Sequence, residues 1–573
     1  MENFYRDNDD IQFHIKHMNL DRVIELIEDN FADKGKYDYA PSNILDAKDG
    51  YDKILEVVGD IAANVIAPKA KEVDEEGAHY ENGEVRYASG TQQAMEMLKK
   101  ADLMGFTLPR KYGGLNCPVT IYSIAIEIVS RADAALMNLF GLQDIADTIN
   151  KFGSEEQKMK YLPRFASGEV TGSMALTEPD AGSDLQSVMT KAYQDENGQW
   201  RLRGVKRFIT NGCGHISLVL ARSEEGTTDG RGLSMFIYER ESHMKIRRIE
   251  NKLGIHGSPT CELQFNDAPA ELCGQRKYGL IKYVMSLMNG ARLAIAAQAL
   301  GIAEAAYREA EKYAKERVQF KKAIQDILPV TEMLANMKVK IEAGRTLLYE
   351  TAIIVDIKNG LEHLIEKHPE KEKELREELK KYTALANLFT PMVKAYNTEM
   401  ANQVCYDAIQ VHGGTGFMRE FNVERHYRDA RITSIYEGTT QLQVVAAIGG
   451  IVKGVAMEKL NEYDKELSCV SDTSLHKFVK EMKDLTEKAI TYVREKDDPV
   501  YQEYHSRRLV EMVTYTTIGY LMLRDGCHSE RKKDVAKYFL EFALPEVRSR
   551  CEIILNNTST LLERKEEILR GVN

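Results

Sequence analysis

The chain has 573 residues, 77 basic and 88 acidic side chains for a net charge of −11, 43% hydrophobic residues and 29% charged ones. Single hydrophobic cores stop growing near roughly 250–300 residues, so this length implies several domains with the composition of an ordinary globular protein. The acidic balance excludes bulk nucleic-acid binding, which rests on neutralising phosphates, but leaves room for a local basic patch. No run approaches the roughly 18 apolar residues of a membrane span, so none is expected.

The start, Met1-Glu2-Asn3-Phe4-Tyr5-Arg6-Asp7, is polar and acidic, without the basic start and apolar run of a secretion signal, and a cytoplasmic location is expected. Residues 1–50 read as an extension docked on the main body, with a helix over about Leu20–Asn30. Residues 51–170 read as helical: in Tyr51–Ala67 the apolar Ile54, Val57, Val58, Ile61 and Val65 recur at three- and four-residue spacing. Gly113-Gly114 and Pro118 punctuate this region. Short alternating runs take over from 171 to 278. Asn197-Gly198 reads as a hairpin turn, Ile216–Leu220 and Leu233–Tyr238 have strand length, and Cys261–Phe265 alternates as on a half-buried strand. From 279 to 450 long helical segments suit a bundle, with the densely charged Asp356–Lys381 read as a solvated extension of two helices. Residues 451–573 read as an additional helical domain, apolar in Leu509–Leu523. The predicted fold is therefore mixed and mostly α: helical domain, β domain, helical bundle, extra helical domain. There is no βαβ alternation, hence no Rossmann sheet. The eight cysteines, Cys117, Cys213, Cys261, Cys273, Cys405, Cys469, Cys527 and Cys551, form no Cys-x-x-Cys pair, so nothing supports a zinc site or redox dithiol.

Four segments carry chemistry. They are Met174-Ala175-Leu176-Thr177-Glu178-Pro179-Asp180-Ala181-Gly182-Ser183-Asp184, Lys206-Arg207-Phe208-Ile209-Thr210-Asn211-Gly212, Glu316-Arg317-Val318-Gln319-Phe320, and the run Gln410–Gln441 with Gly413-Gly414-Thr415-Gly416, Arg428-Asp429 and Tyr436-Glu437-Gly438-Thr439-Thr440-Gln441. Small residues in the first suit close approach of backbone to a planar ligand. Phe208 offers an apolar face and Thr210 a hydroxyl. Read alone, Arg317 fits a solvated helix face, Phe208 a core aromatic and the glycine cluster a plain loop. Together the segments resemble the acyl-CoA dehydrogenase family over about residues 51–450. The N-terminal extension and residues 451–573 are similar to its large members, such as the very-long-chain and 3-methylmercaptopropionyl-CoA dehydrogenases.

That resemblance implies an enzyme with FAD as cofactor that desaturates an acyl-CoA thioester between its α and β carbons. Met174, Leu176, Thr177, Phe208 and Thr210 would contact the flavin ring, and Ser183 both flavin phosphate and substrate. Many family members carry tryptophan where this chain has Phe208, so an indole donor is lost while the stacking face is kept. Arg317, Gln319 and Phe320 resemble the segment that reaches the cofactor of a neighbouring subunit, with Gln410, Gly413 and Gly414 as the complementary part and Thr439 and Gln441 completing it. A homo-oligomer follows, with a homodimer favoured over a homotetramer, and electron-transfer flavoprotein is the expected acceptor. Glu437 matches the catalytic base. Some family members place the base just before a helix arginine, in the segment here read Met288-Asn289-Gly290-Ala291-Arg292. Ala291 cannot serve, which leaves Glu437 unopposed. Arg292, Tyr436 and Gly438 are expected at the substrate. Acyl-CoA oxidase is the alternative enzyme. A DNA-associated relative of the same fold is disfavoured by the acidic charge and by the mixed signs in 451–573.

Overall fold

The computed structural model describes residues 2–467, 473–556 and 559–570, and Cys469 lies outside them. The amphipathic pattern read from Tyr51 forms a helix that starts earlier, at Ile44, because Asn43 accepts the Asp46 N–H and caps it there. It packs on the almost wholly buried helix Val119–Ala132. A small hairpin, His79–Glu81 with Glu84–Arg86, interrupts the helical region before the turn of texture near 171.

A seven-stranded sheet follows, five of whose strands close on themselves. Ile216–Arg222 pairs with Lys191–Gln194 on one side and Leu233–Glu239 on the other, and the circuit returns through Thr260–Cys273 and Trp200–Thr210. Gly172–Ala175 joins parallel to Ile216–Arg222, and Met244–Ile249 lies on Thr260–Cys273. The result is a barrel-like sheet without long open edges. The Asn197-Gly198 turn joins Lys191–Gln194 to Trp200–Thr210, with Gly198 at φ 77°.

Three long helices, Met285–Glu316, Leu328–Lys367 and Glu372–His412, form the bundle with the shorter Val423–Thr433 and Thr440–Val452. The charged stretch Asp356–Lys381 is less solvated than its composition suggests. Asp356 is buried and accepts the N–H groups of Val119 and Thr120 at 2.7 and 2.8 Å, capping a neighbouring helix. Ile357, Leu361 and Leu375 pack with Val23 and Leu26 of the N-terminal extension. The expected helix in that extension is Asp21–Ile27. A second, Asp9–His17, was hidden by its polar sequence. Its Asp10 joins a buried network with Arg345 (2.5 Å) and Lys532, and Arg345 also holds Glu127 and Glu304 at 2.7 and 2.9 Å. The extension, the bundle and the C-terminal helices are thus fastened at one point. The C-terminal helices Thr473–Lys496, Pro499–Gly526 and Glu530–Leu555 pack against one another and onto Thr440–Val452.

No single described helix is long and apolar enough to cross a membrane. Thr440–Val452 and Val455–Leu467 pass that test only as a pair, bent by 70°.

Candidate active site

Where the barrel meets the bundle, a cavity of about 140 Å³ opens between four walls. Met174, Leu176, Thr177 and Gly182 come from the first motif, and Phe208, Ile209 and Thr210 from the second. Met288, Ala291, Ala294 and Ile295 come from the helix Met285–Glu316, and Tyr436, Glu437 and Gly438 from the loop before Thr440–Val452. Met137, Asn138, Gly141, Leu142 and Leu185 complete the lining.

The two barrel motifs are locked by one buried ion pair. Lys206 has no exposed surface and donates to Glu178 and to the Leu176 carbonyl, both at 2.8 Å. Glu178 also accepts the N–H groups of Met189 and Thr190 at 2.7 and 2.9 Å. Burial raises the Glu178 carboxyl, but Lys206 and these donors together hold it below the usual carboxylate range. The Arg207 N–H closes on the Thr177 carbonyl at 2.9 Å.

Directly after Lys206 the ladder with Thr260–Cys273 slips between Lys206 and Ile209, and Phe208 takes a φ of 60°. A left-handed bulky residue in a bulge is costly, and bulges re-aim side chains. Here the bulge turns Phe208 outward, 53% exposed, with the Arg207 guanidinium 4.7 Å from its ring centre. An exposed aromatic face, the Thr177 and Thr210 hydroxyls and the open Gly182 turn, where an added Cβ would meet nothing nearer than 3.8 Å, fit a planar heterocycle.

On the opposite wall Glu437 sits in a tight loop at φ 54°, followed by Gly438 at 87°. Its carboxylate makes no hydrogen bond or ion pair among the described residues, and its N–H has no acceptor there. Burial pushes the Glu437 carboxyl above its ordinary range, opposed by the Lys394 and Arg292 charges. The Tyr436 hydroxyl donates to the side-chain oxygen of Gln298, whose amide donates to Asn138 Oδ1 at 3.0 Å and the Ala134 carbonyl at 2.9 Å. Tyr436 is thereby tied to two helices, and the loop is held open toward the cavity.

The remaining expected residues do not line this cavity. Ser183 is exposed beside the Gly182 wall. Arg292 is buried behind Glu437, bonding Asn289 at 3.2 Å, with its Nε unpartnered. Thr439 caps Thr440–Val452 by accepting the Leu442 N–H, and Gln441 is exposed on that helix. Arg317, Gln319 and Phe320 are exposed on a small hairpin, Val318-Gln319 with Lys322-Ala323, whose tip carries Phe320 at 88% exposure. Gln410, Gly413 and Gly414 are exposed where Glu372–His412 ends, and nothing lies within 4 Å of a Cβ built on either glycine.

Comparison with known proteins accounts for this arrangement. Residues 49–169, 173–268, 293–441 and 452–559 match the N-terminal, middle, C-terminal and "C terminal" descriptions of acyl-CoA dehydrogenase. The chain belongs to the acyl-CoA dehydrogenase family. As a member it is a flavoprotein oxidoreductase acting on acyl-CoA, with FAD as its cofactor. It is 33% identical over 470 residues to a 3-methylmercaptopropionyl-CoA dehydrogenase of Ruegeria pomeroyi, a span covering 77% of this chain and 75% of the relative. The butyryl-CoA dehydrogenase structure from Megasphaera elsdenii superposes with a TM-score of 0.60 at 32% identity, covering 70% of this chain and 97% of that one. An acyl-CoA dehydrogenase structure from Bacillus anthracis, complexed with FAD, shares the fold over 91% of this chain and 92% of its own, with a TM-score of 0.76 at 23% identity.

Sequence reasoning missed Lys394, Gln443, Asn138 and Gln298. None lies in a motif. The one signal was a lysine inside the apolar helical run Leu388-Phe389-Thr390-Pro391-Met392-Val393, where a charged side chain is unexpected without a task. Glu178 and Lys206 stand in two separate motifs, and their pairing across 28 residues is evident only in the fold.

Proposed function

We propose that this acyl-CoA dehydrogenase abstracts the α-proton of a saturated acyl-CoA with Glu437 and yields the 2-enoyl-CoA. One observation carries the reading: the Glu437 carboxylate, unpartnered and raised above its ordinary range by burial, faces the same cavity as Thr177, Phe208 and Thr210. FAD, when bound, supplies the acceptor for the β-hydride. Met174, Leu176, Thr177, Phe208 and Thr210 are the residues that would hold its ring, and Phe208 gives the stacking face.

The chain's own part is to position and to move one proton. The free Glu437 N–H is suited to donate to the thioester carbonyl as charge develops there, a donor worth about 3–4 kcal/mol in comparable sites. Met288, Ala294, Ile295, Met137 and Leu142 give the acyl chain apolar walls, and the small Gly141 and Ala291 leave it room. Ala291 at the wall supports a single base. Water displaced from this wall by the chain desolvates Glu437 further, and its pKa rises toward that of the task.

The exposed hairpin Arg317–Phe320 and the exposed Gln410 and Gly413-Gly414 support a cofactor site completed by a second copy of the chain, and in this reading the additional C-terminal helical domain, which matches over 452–559, favours a homodimer over a homotetramer. Arginine suits a pyrophosphate because its planar fork pairs with two oxygens. Electron-transfer flavoprotein is the acceptor in this reading.

The test is anaerobic titration of the flavin-loaded protein with acyl-CoAs from short to long. Bleaching of the flavin with stoichiometric 2-enoyl-CoA is expected. No bleaching by any of them would overturn the reading, and steady peroxide formation in air without acceleration by electron-transfer flavoprotein would make the protein an oxidase.

A further inference from the structure

We propose that Lys394 is a positioning residue for the base, its ammonium pinning the backbone behind Glu437 and its charge governing when that carboxylate is free to accept a proton. The inference rests on the reading of Glu437 as the base.

Lys394 lies in the helix Glu372–His412 with no exposed surface, among the buried Met392, Val393 and Asn397. Buried lysines are rare unless paired with a carboxylate. Lys394 makes no such pair among the described residues, and its hydrogen bond goes to the Gly438 carbonyl, at 2.7 Å. The charged groups facing it are Glu437 from the loop, Arg292 from the helix Met285–Glu316, and Glu399 from its own helix. Glu399 already accepts the Thr440 hydroxyl at 2.7 Å.

The bond acts on a turn that needs holding. Glu437 at φ 54° and Gly438 at 87° are left-handed, a conformation unfavourable for a residue with a side chain. Gln443 Nε2 grips the Glu437 and Gly438 carbonyls at 3.2 and 2.8 Å from one side, and Lys394 grips the Gly438 carbonyl from the other. Both carbonyls of the turn are thus engaged, while the carboxylate and N–H of Glu437 have no hydrogen-bond partner among the described residues.

The charge acts on the proton. Two cations, Lys394 and Arg292, oppose the burial that raises Glu437. Arg292 stays charged at every working pH. Lys394 does not: burial, with Arg292 adding to it and Glu437 and Glu399 opposing, brings it down to about 7. While Lys394 is charged it draws the Glu437 carboxyl back toward its ordinary range, against the burial that raises it. Lys394 is therefore the adjustable member of the set, and the acid limb of proton abstraction depends on it.

The test uses full-length, flavin-loaded Lys394→Met and Lys394→Arg, with Glu437→Gln alongside. Anaerobic flavin reduction is followed from about pH 5 to 9 with whichever of butanoyl-, octanoyl- and hexadecanoyl-CoA bleaches the wild type fastest. Lys394→Met should move the midpoint of the acid limb upward by about one pH unit or more, and Lys394→Arg should leave it within a few tenths. A second readout needs no turnover. An unfolded lysine titrates near about 10.4, so the native state releases its proton first and stability gained from that release rises between about pH 7 and 10. The unfolding midpoint of the wild type relative to Lys394→Met should therefore climb with pH over that window. An unchanged acid limb in flavin-retaining Lys394→Met, or a rate loss equal at every pH in both variants, overturns the inference. If Lys394→Met fails to fold, Lys394→Gln, neutral but still able to donate to the Gly438 carbonyl, takes its place: an acid limb moved upward supports the inference and an unshifted one overturns it. If Glu437→Gln reduces flavin normally, it is the base itself that fails. If that variant is inactive and only the Lys394 result is negative, the base stands and Lys394 is ordinary packing.

Discussion

Two buried lysine–glutamate arrangements lie on opposite sides of the same cavity, and they are built differently. On the barrel side, Lys206 and Glu178 touch at 2.8 Å, and Glu178 is saturated with further donors. On the bundle side, Lys394 donates a hydrogen bond to a backbone carbonyl, and the Glu437 carboxylate has no partner among the described residues. Both lysines are fully buried, Glu178 is buried and Glu437 half-buried at the cavity wall, so burial of the lysines does not separate them. What separates them is whether the carboxylate's bonds are spent. The first is held low and fixes the shape of the cradle. The second is raised and left with capacity for a proton. A buried charge with all its partners is structure, and one without them is chemistry.

The comparison breaks first at Lys206. Removing one member of a closed buried pair strands the other, so Lys206→Met should lose about 3–5 kcal/mol of stability and most bound flavin, read by chemical unfolding and the flavin-to-protein ratio. A loss under about 1 kcal/mol would mean that the pair is not the lock described. Next comes the bulge that the pair supports. Phe208→Ala should keep the fold but weaken flavin binding by about 1–3 kcal/mol, measured by reconstitution of the apoprotein. Thr439→Ala removes the cap of the helix after the base and should cost about 1 kcal/mol by thermal unfolding. The smallest stability effect belongs to Arg317→Ala, exposed on its hairpin. It should stay within about 0.5 kcal/mol of the wild type in unfolding while lowering flavin retention, and normal retention would remove Arg317 from the cofactor site.

The order of layers was legible in the sequence because the hydrophobic period changes where the fold does, near 171 and near 279. The motif residues Met174, Leu176, Thr177, Phe208, Thr210, Tyr436, Glu437 and Gly438 converge on one cavity. Other features needed the fold. Lys394 and Glu437 are 43 positions apart in sequence, on separate elements, and no local pattern couples them. Asp356 read as one charge in a solvated run, yet it caps a helix more than 200 residues earlier, a partnership that exists only once the two helices pack. The helix Asp9–His17 was missed because its buried face is mostly polar: Asp10 and His14 lie there beside a single apolar residue, Ile11.

The central claim is that the unpartnered carboxylate is the base, and Glu437→Gln tests it most directly. The variant keeps size and polarity but cannot take a proton. Mixed anaerobically with the acyl-CoA that reduces the wild type fastest, it should retain its flavin and bleach at least about 10²–10⁴-fold more slowly. The wild-type rate should fall as pH drops through a midpoint above the ordinary glutamate range, since burial raises Glu437 and only its ionised form accepts a proton. Bleaching of Glu437→Gln within a few-fold of the wild type would contradict the account.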